Sequence, residues 1–253
     1  MKKFLVASSV AVGLALASTP AAFATLVGNS LPSGVSSITG EVVNQPGGPQ
    51  VPSAQGLTIN GISLLNFGTA GSAGWQSSTG TGASATYPMA ITINNANGAT
   101  GNGASGFYAG SVGGIAASPF NSSAGLQEYL SAEPNGSIVL TFATPQTNFS
   151  LLWGTVDTYN SIALQFNTSG PTDPTLSGTD IQNAIGGLTA NGTTDALVSI
   201  GLTNAFNTVT ITSSTPAFEF VPGVSVPEPG TLALLGAGLL GLGAVMMRRR
   251  KAL

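Results

Sequence analysis

The chain has 253 residues, with 6 Lys+Arg, 9 Asp+Glu, no His and no Cys. The six cations sit at the two ends, Lys2, Lys3 and Arg248 to Lys251, so residues 25–229 hold all nine carboxylates and no positive side chain. Such a segment repels nucleic acid and anionic membrane surfaces, has no thiolate for a disulfide or zinc site, and lacks the commonest general base. Charged residues make up only 6% of the chain against roughly a quarter in an average domain, yet 42% are apolar, so a core can form.

Residues 1–24 place two lysines before the apolar stretch Phe4–Ala17, then Pro20, then Ala22 and Ala24 flanking Phe23. This is the layout of a secretory signal peptide with an A-x-A exit, and it implies handling by the general secretory translocon and signal peptidase. Residues 25–225 form the expected mature domain. Pro32–Gly56 and Thr69–Thr86 are rich in Gly, Ser, Pro and Thr and read as long loops. Between them, Leu57–Ile59 and Ile62–Leu64 flank Asn60-Gly61, the dipeptide of a two-residue hairpin turn. Tyr87–Ile93 reads as a strand, and Pro88 marks it as an edge.

Ser123 is placed as the cap of a short helix carrying Leu126, Tyr129 and Leu130, and Asp180 as the cap of a second carrying Ile181, Ala184 and Ile185 before Gly186. The other apolar segments are short and extended. They are Ile138–Phe142, Phe149–Trp153, Ala196–Leu202 and Phe218–Phe220, with strict alternation at Ile162, Leu164 and Phe166 and at Val209 and Ile211. Many short strands with Gly, Pro and Asn turns give an all-β class, with an antiparallel, jelly-roll-like β-sandwich as the expected ectodomain.

Without His, Lys, Arg or Cys between the ends, catalysis is left to carboxylates and hydroxyls, and no enzymatic role is expected. The alternative hydrolase reading needs an acid pair flanking a glycosidic bond, with Glu128, Glu133 and Asp157 as the acids to test. No cofactor is assigned. Ca²⁺ is the cation that carboxylates on Gly- and Asn-rich loops would suit, though no EF-hand or nonapeptide pattern occurs. Gly101-x-Gly103-x-x-Gly106 is one of two G-x-G-x-x-G matches in a chain of 35 glycines, and it lacks the downstream acid of a dinucleotide site.

The most distinctive central segment is Trp153-Gly-Thr-Val-Asp157-Thr-Tyr159-Asn160. An aromatic beside Asp and Asn can stack on a sugar while the polar groups read its hydroxyls, which makes Trp153, Asp157, Tyr159 and Asn160 a candidate ligand loop. Period two sets Trp153 on one strand face with Phe149 and Leu151, the competing core reading, and Asp157 and Asn160 also suit a tight turn.

At the C-terminus, Pro227-Glu228-Pro229 precedes the apolar run Thr231–Met247 and then Arg248-Arg-Arg-Lys251. Seventeen helical residues rise about 25 Å, within the usual range for a membrane span, and the basic end favours the cytoplasmic side. This order of elements over residues 226–253 resembles the PEP-CTERM sorting signal of exosortase-dependent proteins. The resemblance implies recognition at Pro227, Glu228 and Pro229 by a membrane-embedded exosortase, a transmembrane helix that anchors the protein only transiently in the inner membrane, and a Gram-negative host that makes exopolysaccharide and biofilm. The Trp153–Asn160 segment is similar to a W-G-x-x-D-x-Y-N stretch in a subgroup of those proteins. Together these give an exported protein of the cell surface or extracellular matrix, structural or adhesive in exopolysaccharide, with a carbohydrate-binding module as the alternative. Signal cleavage after Ala24 predicts a mature chain starting at Thr25, which N-terminal sequencing of the exported protein checks; a start at any other residue moves the boundary.

Overall fold

A computed structural model describes residues 24–26, 31–44, 51, 58–59, 62–78, 88–120, 126–167, 172–185 and 194–225. Ala22, the Phe4–Ala17 segment, Ser123, the Asn60-Gly61 dipeptide and the whole of 226–253, with Pro227, Glu228, Pro229 and the expected membrane span, lie outside them. Among the described residues no helix is long and apolar enough to cross a membrane.

The fold is all-β and antiparallel, organised on two 19-residue strands, β9 (Gly136–Gly154) and β12 (Asp195–Ser213). They pair from Ile138 opposite Ile211 up to Trp153 opposite Ala196, with register shifts between Gly201 and Thr208. Sequence spacing suggests four short strands here, but the apolar pairs Ile138–Phe142 with Phe149–Trp153, and Ala196–Leu202 with Val209–Ile211, are continuous. The intervening residues 143–148 of β9 are largely solvent-facing and include Pro145, so a weak hydrophobic signal masks the join. Pro145 has no N–H to give, and it sits where the β9–β12 ladder is interrupted.

Each end of this ribbon recruits different neighbours. The first half of β9 is flanked by β6 (Met89–Asn95), and the matching half of β12 by β10 (Asn160–Phe166), which in turn pairs with β11 (Thr175–Ser177). Here Ile138, Leu140 and Phe142 are buried while Val139 and Thr141 are not, as expected of a sheet with one wet face. Among the described residues β6 pairs with β9 alone, the edge position that Pro88 implies.

The first half of β12 pairs with β2 (Val35–Val43), which pairs with β1 (Ala24–Leu26). The second half of β9 pairs with β13 (Phe218–Ser225), whose far side is shared by β8 (Glu128–Ala132) and β4 (Ile62–Leu64). β7 (Gly106–Ala109) and β5 (Gly74–Ser77) extend the sheet beyond β8, and β3 (Thr58–Ile59) pairs with β4. Ile59 faces Ile62, so two residues connect β3 to β4, as the dipeptide between them requires. Every residue from Phe149 to Gly154 is buried, so apolar side chains stand on both faces of this stretch, Phe149, Leu151 and Trp153 on one and Leu152 on the other.

Three sequence expectations are corrected. Val35–Val43 and Gly74–Ser77 are strands inside the two stretches read as loops; their Ser, Thr and Gly content hides Val35, Ile38, Val43 and Trp75, which meet the core. Leu126 to Leu130 does not form a helix. Tyr129 and Leu130 fit i, i+3, i+4 spacing, but both faces of β8 are buried and its backbone is paired on both sides, so the ladder wins. The helix expected at Ile181 is present as α1 (Gly178–Ile185), but its cap is Ser177: the Ser177 Oγ accepts from Asp180 N–H at 3.3 Å while the Asp180 carboxylate accepts from Ser177 N–H at 2.7 Å.

Two close approaches hold α1 in place. A Cβ at Gly40 would collide with the Ile185 side chain, so β2 needs glycine where α1 crosses it, and a Cβ at Gly178 would collide with the Asp157 carbonyl. The Gly178 contact is with backbone, which cannot swing away. Gly178→Ala is therefore expected to cost about 1–3 kcal/mol by overpacking, whereas Gly113→Ala, with nothing within 4 Å, stays within about 0.5 kcal/mol. Urea midpoints of the two variants check the contrast; equal midpoints refute it.

Candidate functional site

The loop that leaves β9 carries the candidate residues. Thr155 has φ +41°, a left-handed conformation that a β-branched side chain rarely takes. It is held there from both sides: its N–H donates to Asp195 Oδ1 at 3.0 Å, and its hydroxyl donates to Glu219 Oε2 at 3.0 Å. Asp195 is itself fixed by the Asn44 amide at 2.7 Å. Backbone strain retained in this way is characteristic of binding and catalytic sites. Thr155 also lies beside the Asp157 carboxyl. Tyr159 O–H donates to Asp157 Oδ2 at 2.8 Å and lies 3.1 Å from the Pro216 carbonyl.

Glu219 comes from β13, where its neighbours Phe218 and Phe220 point into the core on the opposite face. Its second oxygen accepts from Ala117 N–H at 2.6 Å and so pins a turn over residues 111–117, closed on itself by paired Val112 and Ala116 backbone bonds at 2.8 and 3.0 Å. Between that turn, the Thr155–Tyr159 loop and Pro216–Glu219 lies an open pocket of about 320 Å³.

The structure brings Asp157 and Tyr159 to this pocket and sets Trp153 and Asn160 behind it. Trp153 is fully buried and stacked on Phe218, with ring centroids 4.1 Å apart and planes 17° from parallel, so it offers no face to a ligand. With its amide oriented to satisfy its neighbours, the buried Asn160 accepts from Trp153 Nε1 at 3.3 Å and donates to Ser213 Oγ at 2.9 Å and the Ala217 carbonyl at 3.2 Å. Glu128 and Glu133, the other acids considered for hydrolysis, do not line the pocket. Glu128 is buried in β8 opposite Ala109, and Glu133 just beyond its end. Glu219 is the residue that sequence reasoning missed. Its signal was an acid between two phenylalanines in a strand, a carboxyl that must go inward or against a covering loop. The Gly101–Gly106 stretch is a turn leading into β7, with Gly101 and Gly103 at φ +90°, and no helix follows it. Among the described residues no three Asp or Glu side chains gather around one point.

β13 ends at Ser225, and Val226-Pro227-Glu228-Pro229 follows at once. Residues 225–251 match the PEP-CTERM protein-sorting motif. The motif marks an exported protein that is processed at the membrane, with exosortase as the processing partner. No curated protein and no solved structure matches the chain. The PEP-CTERM motif therefore begins on the last residue of a strand in the interior of the sheet, bonded to β9 and β8 and, at Gly223–Ser225, to β4.

Burial governs the electrostatics of the acids above that strand. Glu133 is pushed up to about 7 by loss of water, opposed by the Ser131 hydroxyl, and its Oε2 has no hydrogen-bond partner among the described residues. Glu219 is pushed up to about 7 by burial, opposed by Ala117 N–H and Thr155 and assisted by repulsion from Glu133. Burial likewise raises Asp157 and Asp195. For an acid whose pKa is higher folded than unfolded, the folded state binds more protons between the two values, so stability is greatest below the unfolded pKa and falls as pH rises. The urea midpoint is expected to drop from about pH 4.5 to about pH 7 and then level off, with a shallower slope in Glu133→Gln. A midpoint that rises over that interval refutes the assignment.

Proposed function

We propose that this is a non-enzymatic protein of the cell surface or extracellular matrix of a Gram-negative bacterium. In this reading a β-sandwich domain is exported, held briefly by its C-terminal helix, released by exosortase, and then works structurally or adhesively within exopolysaccharide or biofilm. The observation that carries the reading is the PEP-CTERM motif joined without a spacer to β13. The Trp153–Asn160 segment, similar to that of a subgroup of exosortase-dependent proteins, agrees with it. So does a domain without His, Lys, Arg or Cys, which leaves few groups for catalysis.

The pocket favours a second reading, a carbohydrate-binding module. Val112, Ile115 and Pro216 give it an apolar wall, Tyr159 adds an aromatic ring with a polar tip, and Asp157 and Glu219 supply acceptors. A small apolar surface with a few fixed polar groups is the usual make-up of a saccharide or small-ligand site. Hydrolysis has less support, since Glu128 and Glu133 lie away from the pocket.

Intact mass of the extracellular protein from hosts with and without exosortase tests the sorting step. The expected product begins at Thr25 and lacks Arg248–Leu253 only when exosortase is present. Retention of that tail in both strains would make the protein an ordinary membrane-tethered domain.

A further inference from the structure

The pocket beside Asp157 and Glu219 is unusual in its balance of donors and acceptors. Its ionisable side chains are Asp157, Glu219 and Tyr159, and Thr155 and Ser111 add hydroxyls. No side chain from 25 to 229 carries a positive charge. The two carboxyls together offer about eight lone-pair directions. The donors reaching them are Ala117 N–H, the Glu219 N–H, the Thr155 hydroxyl and the Tyr159 hydroxyl, so acceptor capacity is left over. An anionic glycan would meet repulsion with no cation to offset it. A neutral sugar would bring hydroxyls, which donate and accept alike. An ammonium brings three donors and the missing charge, and no acceptor.

The remaining wall sets the rest of the ligand. Val112, Ile115, Pro216 and the Tyr159 ring suit the C–H face of a pyranose, and about 320 Å³ is at the lower end of the roughly 300–1,000 Å³ of small-ligand sites. We infer that the pocket binds an amine-bearing sugar, a hexosamine unit with its nitrogen free, whose ammonium bonds to Asp157 and Glu219 while its ring lies against Tyr159 and Pro216. This inference rests on the carbohydrate-binding reading given above and names its ligand class.

The surrounding charges agree. The titratable groups that face Glu219 are Asp157 and Tyr159 across the pocket and Tyr129 and Glu133 from the β8 side, none of them cationic. Burial keeps the carboxyls protonated to higher pH than free acids, and a bound ammonium reverses that preference. Below the pKa of the sugar amine, binding therefore releases a proton, and affinity rises with pH until the amine loses its own.

The test is titration calorimetry of the full chain, purified in detergent, in two buffers of different ionisation enthalpy. The probes are a glucosamine oligosaccharide with free amines, its N-acetylated counterpart, a glucose oligosaccharide of equal length, and Ca²⁺ alone. The free-amine oligomer is expected to bind at least about tenfold more tightly than the other two sugars, with proton release, and to lose at least about tenfold in Asp157→Asn and in Glu219→Gln. Using both variants guards against one of them failing to fold, which a thermal melt reveals. Equal binding of all three sugars overturns the amine inference and leaves the carbohydrate-binding reading intact. Undiminished amine binding in both folded variants places the ligand elsewhere and overturns it. No sugar binding, with or without Ca²⁺ uptake, overturns both.

Discussion

A carboxylate buried in a domain with no cationic side chain of its own is the constraint on which much of this fold turns. Glu133, Asp157, Asp195 and Glu219 are largely removed from water, and the sequence between the two termini offers them no Lys, Arg or His. Each must be met by neutral donors or keep its proton. The loops follow from this need. Asp195 fixes Thr155 and Asn44, and Asn44 in turn reaches the Pro119 carbonyl at 2.9 Å. Glu219 ties the 111–117 turn to Thr155 across the end of the sheet. The acids thus take the place that ion pairs hold in an ordinary domain, and the pocket is the space their bonds leave between the segments they anchor.

Much of the sheet was legible because its apolar residues obey period two or run nearly without a break. Ile162, Leu164 and Phe166 alternate as β10, and Phe149–Trp153 is apolar but for Ser150 because both faces are covered. Legibility failed where packing overrides composition. Nothing in Val-Ser-Ser-Ile-Thr-Gly at 35–40 marks a strand as strongly as β12 on one side and β1 on the other enforce it. The identity of β8 was hidden for a related reason, since Tyr129 and Leu130 are both buried and adjacency on opposite faces of a strand resembles adjacency on a helix stripe.

The site was half legible. Asp157 and Tyr159 followed from an aromatic and acidic cluster on a loop, and they face the pocket. Trp153 and Asn160 belong to the same short stretch but turn inward, because the indole stacks on Phe218 and gives its N–H to the Asn160 amide. Glu219 stands 62 residues later and accepts from the Thr155 hydroxyl in the Asp157 loop, a relation that pairing of β13 with β9 at Gly154 creates and that sequence spacing does not carry. The sorting motif at 225–251 was legible, since its residues are contiguous and need no fold to bring them together.

The junction at Ser225 also has a mechanical meaning. β13 lies between β9 on one side and β8 and β4 on the other, and antiparallel ladder bonds run perpendicular to the strands. Tension drawn along β13 from its C-terminal end loads those rows of bonds together in shear instead of opening them one at a time, as a pull on an edge strand would. A pull applied at Ser225 is thus resisted by both flanks of β13 at once.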